Sequence, residues 1–188
     1  MKISKKILIV FIFLLVAIFI SRYIYLEENG NFHTVTKGIV YRSAQLDTDE
    51  LGKYIVKYKI RSILNLRGKQ EDNSWYREEQ KIAKQEGVVL ISYSISSVHL
   101  IPPKTIDEII ELMKKAPKPI LIHCKAGADR SGLIAAIWKL VVEKDPPEKA
   151  DEQLSLFCGH VPYLWSKTKD MDESFWNYVK YLRSQKHK

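Results

Sequence analysis

Residues 119–141, PILIHCKAGADRSGLIAAIWKLV, join two apolar segments through the polar and small residues HCKAGADRSG at 123–132. Residues 119–123 are short and apolar, which predicts a buried strand, and residues 131–142 predict a helix that is apolar on every side. A strand, a tight loop and a helix N-terminus in this order form an anion site, because successive backbone N–H groups point into the loop. The stretch therefore predicts an α/β fold with an anion-binding loop.

Residues in this loop have the chemistry needed to attack and hold a phosphate. Cys124 opens the loop, where the helix dipole and a nearby arginine favour the thiolate form of its side chain. Arg130 follows six residues later, and its planar guanidinium can bind two phosphate oxygens at once. Gly127 permits the unusual backbone angles of a tight loop. Ser131 can donate a hydrogen bond to the cysteine sulfur and help it to leave.

The motif H-C-x-x-G-x-x-R-S-G at 123–132 resembles the signature loop of protein tyrosine and dual-specificity phosphatases. Two further segments, GIVYRSAQ at 38–45 and ILNLRG at 63–68, resemble compact bacterial and plant or fungal members of this group. In that family the cysteine attacks phosphorus, a phosphocysteine forms, and water hydrolyses it without a metal or another cofactor. The resemblance implies a metal-independent phosphatase for phosphate monoesters, first of all a tyrosine or dual-specificity protein phosphatase.

The resemblance also implies a role for each matching residue. Cys124 would be the nucleophile and Arg130 the phosphate ligand, while Ser131 would contact the sulfur and His123 would position and acidify Cys124. Arg67 follows a predicted buried strand, so it either reaches the loop as a second phosphate contact or pairs with a surface acid. The predicted phosphate-binding residues are Lys125, Ala126, Gly127, Ala128, Arg130 and Arg67.

The proton donor that this family normally uses is missing from the sequence. It is usually an aspartate in a loop before the signature strand, and here that region, SYSISSVHLIPP at 92–103, contains no carboxylate. Three substitutes are Asp129 inside the loop, His99 near the usual position, and Asp72 in a polar loop. Each also has a non-catalytic alternative: Asp129 could orient the loop amides or pair with Arg130, and His99 and Asp72 could simply be exposed to solvent. The missing acid favours substrates with good leaving groups, or a phosphate-binding pseudophosphatase without turnover.

The N-terminus predicts a membrane anchor. Residues 7–20 are an unbroken apolar run, and residues 23–26 extend it to about 20 residues, enough to cross a bilayer core of ~30 Å. No small-x-small cleavage site follows, so we expect an uncleaved anchor at 1–26 rather than a removed signal peptide, and a catalytic domain at 27–188. Three lysines before the run predict a cytoplasmic N-terminus and a single-pass protein, with the catalytic domain extracytoplasmic, on the periplasmic side in a bacterium.

The net charge of +8 does not indicate a nucleic-acid partner. Residues 1–26 contain four basic residues and no acid, and the remainder of the chain has 26 basic and 22 acidic residues, scattered rather than clustered. Two cysteines are too few for a disulfide framework, and no C-x-x-C pair indicates a metal site. The expected partners are a phosphorylated protein, or an anionic lipid or inositol phosphate, and the membrane through residues 1–26.

The remaining apolar periodicities complete an α/β pattern. They predict strands at 32–36, 39–42, 60–66 and 88–93 and helices at 48–58, 75–86, 105–115, 147–157 and 172–184. Alternating strands and helices predict a small, partly parallel central sheet with helices on both faces. With the resemblance above, the expected architecture is that of protein tyrosine phosphatases, preceded by an N-terminal transmembrane helix.

Overall fold

The computed structural model describes residues 5–162 and 168–185, apart from the side chains of residues 23 and 27. One N-terminal lysine of the predicted anchor, Lys2, lies outside the described residues. The elements follow one another as α1 (Lys5–Glu28), β1 (His33–Thr36), β2 (Val40–Ser43), α2 (Thr48–Tyr58), β3 (Ser62–Asn65), α3 (Ser74–Gln85), β4 (Val89–Ser92), α4 (Pro103–Lys115), β5 (Ile120–His123), α5 (Arg130–Val141), α6 (Pro147–Asp151), a 3₁₀ turn (Leu156–Cys158) and α7 (Lys169–Gln185).

The five strands form one mixed sheet in the order β1-β2-β5-β3-β4. β1 is antiparallel to β2, whereas β2, β5, β3 and β4 are parallel to one another. The register places Ser43 of β2 and Asn65 of β3 on either side of His123, the last residue of β5. The loops that follow these strands therefore leave from the same edge of the sheet, which is where open α/β sheets bind ligands. The predicted α/β fold with a partly parallel sheet is confirmed.

Helices cover both faces of this sheet. α4, α5, α6 and α7 pack on one face, against Leu64, Ile120 and Ile122, while α2 and α3 cover the other face, against Ile63 and Leu121. Successive residues of a strand point to opposite faces, so a strand that is covered on both sides is apolar throughout. α5 lies between the sheet and α4, α6 and α7, which explains why it has no polar side.

The helix predicted at 147–157 begins at Pro147 as expected, but its predicted end is wrong. α6 ends at Asp151, and Ser155 has an extended backbone before the 3₁₀ turn begins. Beyond the end of α6, the carbonyl oxygen of Gln153 accepts a hydrogen bond of 2.6 Å from Nη1 of the buried Arg42. That acceptor is used by a side chain of β2 instead of by a later N–H group of a continuing helix.

Two other helices begin earlier than the periodicity predicts. α4 starts at Pro103 rather than at residue 105, because proline fits the first turn of a helix, where its missing N–H group leaves no bond unmade. α7 starts at Lys169 rather than at residue 172. Its first turn contains two acidic residues, which interact favourably with the helix dipole.

α1 stands apart from both cores over most of its length. The described apolar side chains of residues 7–20 are exposed, and α1 is long and apolar enough to cross a membrane. Its C-terminal end is attached to the domain, since the carbonyl oxygen of Leu26 accepts a hydrogen bond of 2.7 Å from the N–H group of Asn31. Arg22 donates a further hydrogen bond to the carbonyl oxygen of Phe157. The apolar helix therefore ends at the same side of the domain as the 3₁₀ turn.

Candidate active site

The loop at 124–130 lies at the carboxyl edge of the sheet, between β5 and α5. Cys124 follows the last residue of β5, and its buried Sγ lies 3.4 Å from Oγ of Ser131. α5 begins at Arg130, so the N–H groups of its first turn have no partner within the helix and can bind an anion. The cysteine sulfur therefore sits where a helix N-terminus stabilises a thiolate.

The loop is pressed against the end of β2. Gly127 has a φ of +68°, and a Cβ atom at this position would lie 2.6 Å from the carbonyl carbon of Ser43. Only glycine fits both this backbone angle and this close approach. The N–H group of Gln45 also donates a hydrogen bond of 3.1 Å to the carbonyl oxygen of Lys125. These contacts fix the shape of the loop from its outer side.

The guanidinium of Arg130 lies across the ends of two strands. Its Nη1 atom is 3.4 Å from the carbonyl oxygen of Leu66, which follows β3, and 3.5 Å from that of Ile95, beyond the end of β4. Both distances are long for hydrogen bonds. A bound phosphate would offer this guanidinium shorter, charge-assisted bonds than the two carbonyl oxygens do.

A second guanidinium, that of Arg67, lies near the first. Its Cζ atom is 3.6 Å from the centre of the Trp75 ring, and its Nη1 donates a hydrogen bond of 3.2 Å to Oε1 of Gln45. Burial lowers the pKa of Arg67, and the charge of Arg130 lowers it further, whereas the charges of Glu79 and Cys124 oppose this shift. Arg67 forms no ion pair with any residue that the structure describes. The surface ion pair, one of its two predicted roles, therefore does not occur within these residues.

A buried polar network lies beneath the loop. Nε2 of His123 is 2.7 Å from Oε1 of Glu79, and both side chains are only 2% exposed. The other carboxylate oxygen of Glu79 accepts a hydrogen bond of 2.8 Å from Nδ2 of Asn65. A buried carboxylate needs partners, and here Asn65 donates the hydrogen bond while the ring of His123 packs against Glu79, its Nε2 making no hydrogen bond with the described residues. The network thereby fixes the end of β5 from which Cys124 projects.

Asp129 belongs to a second cluster that joins the loop to α7. Its Oδ1 is 2.7 Å from Nδ1 of His160, and Oδ2 of Asp172 is 3.0 Å from Nε2 of the same ring. His160 is fully buried, whereas the side chain of Asp129 is 20% exposed. Burial alone would lower the pKa of His160, but its hydrogen bonds to the two aspartates and their charges raise it to about 9. A protonated imidazole therefore lies against the loop carboxylate at neutral pH.

The three predicted proton donors occupy different environments. Asp129 adjoins Arg130 in the loop and contacts His160, as described above. His99 and Asp72 are solvent-exposed, and neither makes a hydrogen bond with the part of the chain that the structure describes. Of the three, Asp129 is the one that lies in the loop and has a buried side-chain partner, His160.

Arg42 is a buried charged residue near the loop that the sequence alone did not single out. It is fully buried in β2, and its Nε and Nη2 atoms have no hydrogen-bond partner among residues 5–162 and 168–185. The register pairs it with Ile122, and Cys124 lies two residues further on the same face. Burial lowers the pKa of Arg42, while Cys158, Cys124 and Asp129 raise it. The signal in the sequence was a charged residue inside the buried strand VYRS.

Comparisons with known proteins identify the family. A model described as "DSP-PTPase phosphatase fused to NAD+ Kinase" matches residues 18–168. Similar solved structures include Pseudomonas aeruginosa TpbA (18% identity, TM-score 0.60, covering 78% of this chain and 84% of that one). Others are the core catalytic domain of SIW14 from S. cerevisiae (22%, 0.62, 84% and 93%) and PTPMT1 (16%, 0.59, 81% and 99%). No protein of curated function matches the sequence. Because the family model covers most of the chain, the protein belongs to the DSP-PTPase phosphatase family.

Proposed function

We propose that the protein is a metal-independent phosphatase that hydrolyses phosphate monoesters through a phosphocysteine at Cys124. The observation that carries the proposal is the position of Cys124 at the start of the anion loop, 3.4 Å from Oγ of Ser131. The phosphate oxygens would bind the N–H groups of residues 125–130 together with the guanidinium of Arg130. Arg67 would add a second positive charge at the same anion. This arrangement stabilises the charge that develops on the phosphoryl group as it is transferred.

The reaction has two steps. In the first, the Cys124 thiolate attacks phosphorus, an S–P bond forms, and the P–O bond to the leaving group breaks. In the second, water attacks phosphorus, the S–P bond breaks, and inorganic phosphate leaves. The hydroxyl of Ser131 donates a hydrogen bond to the sulfur as it regains its negative charge. The phosphoryl group stays bound in the same loop during both displacements, so the same N–H groups stabilise both transition states.

We assign the proton transfers to Asp129. In the first step the proton of His160 Nδ1 would pass to Asp129, and the Asp129 carboxyl group would give a proton to the leaving oxygen. In the second step the carboxylate would accept a proton from water, and His160 would regain its own. His160, with a pKa of about 9, holds the proton that the pair shares at neutral pH, 2.7 Å from Oδ1 of Asp129. Asp172 holds the other side of the ring and keeps Nδ1 directed at the loop.

The family resemblance alone favours phosphorylated proteins as substrates. Relatives have been crystallised with different phosphate compounds: TpbA with pTyr and PTPMT1 with PI(5)P, while SIW14 is named as a PP-IP phosphatase. The displacement at Cys124 is common to phosphoproteins, inositol phosphates and phospholipids. The choice among them therefore depends on what surrounds the loop.

A covalent intermediate on Cys124 is the expected result of mixing the full-length chain with p-nitrophenyl phosphate and denaturing it within milliseconds at alkaline pH. The phosphoryl group stays bonded to the Cys124 sulfur until water attacks phosphorus, so a fraction of the protein is phosphorylated during turnover. Mass spectrometry of the digested chain should locate phosphate on the peptide that contains Cys124.

Cys158 provides the matched control for this experiment, because it is the other cysteine, is free and is only half-buried. The Cys158→Ser variant should still form the intermediate on Cys124. Turnover without any cysteine-bound phosphate would contradict the mechanism. Binding of inorganic tungstate without turnover would instead identify a phosphate-binding module.

We also propose that residues 1–26 anchor the catalytic domain of residues 27–188 outside the cytoplasmic membrane. The support is the length and apolar composition of α1 and the three lysines that precede its apolar run. Protease added to spheroplasts should digest the catalytic domain while a cytoplasmic marker protein stays intact. A domain that resists digestion until the spheroplasts are lysed would lie in the cytoplasm.

A further inference from the structure

A cavity of about 310 Å³ lies between the last turns of α1 and the outer side of the phosphate loop. Its walls combine apolar side chains from the helix and the 3₁₀ turn with a cation from each side. The lining residues that matter here are Phe19, Arg22, Leu26, Lys125, Ala126 and Leu156. A ligand in this cavity would touch the membrane helix and the catalytic loop at the same time.

A buried asparagine fixes the spacing between the helix and the loop. Asn31 donates its backbone N–H to the carbonyl oxygen of Leu26 at 2.7 Å. Its Nδ2 donates to the carbonyl oxygens of Ala126, at 2.9 Å, and Cys158, at 3.0 Å. One side chain thus ties the end of α1 to the phosphate loop and to the 3₁₀ turn. If α1 enters a bilayer, the loop is held at the membrane surface.

The 3₁₀ turn adds a second apolar surface at the same level. Leu156 is 55% and Phe157 77% exposed, although both are large apolar residues. Arg22, near the end of α1, donates a hydrogen bond to the carbonyl oxygen of Phe157, which places this turn beside the helix. Exposed apolar side chains next to a membrane helix are suited to insertion into the lipid interface.

The positive side chains that line the cavity favour binding of an anionic head group. Arg22 and Lys125 line it from opposite sides, and Glu50 is the one carboxylate among the described lining residues. Gln45 also lines the cavity and accepts the hydrogen bond from Arg67, so the cavity and the catalytic cations meet at this residue. Apolar walls with cations at one end match an amphiphile whose head group carries negative charge.

We propose that the substrate is a phosphate monoester on the head group of a membrane lipid, an inference that rests on the proposed phosphatase function. The first part of the lipid tail would lie beside Phe19 and Leu156, and the phosphate would reach the loop past Lys125. Cys124 Sγ forms the S–P bond as the P–O bond to the head-group oxygen breaks. That oxygen takes a proton from Asp129, which His160 replaces, and the products are the lipid alcohol and, after hydrolysis, inorganic phosphate.

The test uses the full-length protein in phosphatidylcholine vesicles that contain phosphatidic acid, with inorganic phosphate as the readout. Glycerol phosphate and a phosphotyrosine peptide serve as soluble substrates. The kcat/KM for phosphatidic acid should exceed that for glycerol phosphate, which has the same kind of leaving group, by about tenfold or more, because apolar contacts are added. Phe157→Glu should lower lipid hydrolysis by about tenfold and leave p-nitrophenyl phosphate hydrolysis unchanged.

Val56→Glu is the matched control, since Val56 is 69% exposed on α2 and does not line the cavity. It should leave both activities unchanged. A higher kcat/KM for the phosphopeptide than for phosphatidic acid would overturn the lipid assignment and identify a protein substrate. Equal rates with phosphatidic acid and glycerol phosphate, or no effect of Phe157→Glu, would also overturn it. If the wild-type protein did not hydrolyse p-nitrophenyl phosphate at all, the phosphatase function itself would be refuted.

Discussion

The Cys124→Ser variant should release p-nitrophenol from p-nitrophenyl phosphate at least roughly 10⁴-fold more slowly than the wild type between pH 5 and 8. A serine hydroxyl at the start of the loop stays protonated at these pH values. A cysteine gives up its proton far more readily than a serine, and its thiolate is the nucleophile. Here α5 begins six residues after the sulfur, and the buried charge of Arg42 lies on the same face of the sheet.

Binding should survive this substitution, because the N–H groups of the loop and the guanidinium of Arg130 remain in place. Calorimetry with inorganic tungstate should therefore give a similar Kd for Cys124→Ser and the wild type. The Cys158→Ser variant should keep full turnover. If the serine variant at position 124 retained more than a few per cent of the activity, Cys124 would not be the nucleophile.

Asp129→Asn should separate substrates by the quality of their leaving groups. For glycerol phosphate, whose alkoxide needs a proton, we expect kcat to fall by about 10² to 10⁴-fold, the usual contribution of a general acid. For p-nitrophenyl phosphate the loss should be about tenfold or less, because p-nitrophenolate leaves without a proton. Asparagine keeps the size of the side chain and an oxygen that can accept the hydrogen bond from His160.

The matched control is Asp172→Asn, which changes the second aspartate on His160 without touching the loop. It should cost much less activity with glycerol phosphate than Asp129→Asn does. Equal losses for both substrates in the Asp129 variant would show that this residue shapes the loop rather than transferring a proton. Thermal unfolding of each variant checks that the fold is retained.

The pH dependence of the rate is a second test of proton transfer by Asp129 and His160. The raised pKa of His160, about 9, means that the Asp129–His160 pair keeps its proton through neutral pH and loses it as the pH rises through that value. The rate with glycerol phosphate should therefore fall above about pH 9, while the rate with p-nitrophenyl phosphate should fall much less. His160→Gln should remove this difference between the two profiles.

The sequence alone was sufficient for the element order and for the centre of the site. The strand at 119–123, the loop and the apolar helix after it are contiguous, and their local pattern predicts both the fold class and the anion site. Cys124, Arg130 and Ser131 lie within eight residues of one another, so their proximity needs no knowledge of distant contacts. The helix predicted at 147–157 ends early, at Asp151, and helical periodicity does not report that the carbonyl oxygen of Gln153 bonds to Arg42 of another strand.

Tertiary structure alone decided which side chains support that centre. Glu79 lies in a polar helix and looks solvated in the sequence, yet it is buried against His123, which is 44 residues away in the chain numbering. His160 meets Asp129 because the chain folds back after α6, and Asn31 brings the end of the apolar helix to the loop. Periodicity and motifs report interactions between near neighbours, whereas buried polar partners are set by packing between elements. The sequence therefore determined the phosphate loop, and the fold determined the partners of Asp129 and the closeness of the loop to α1.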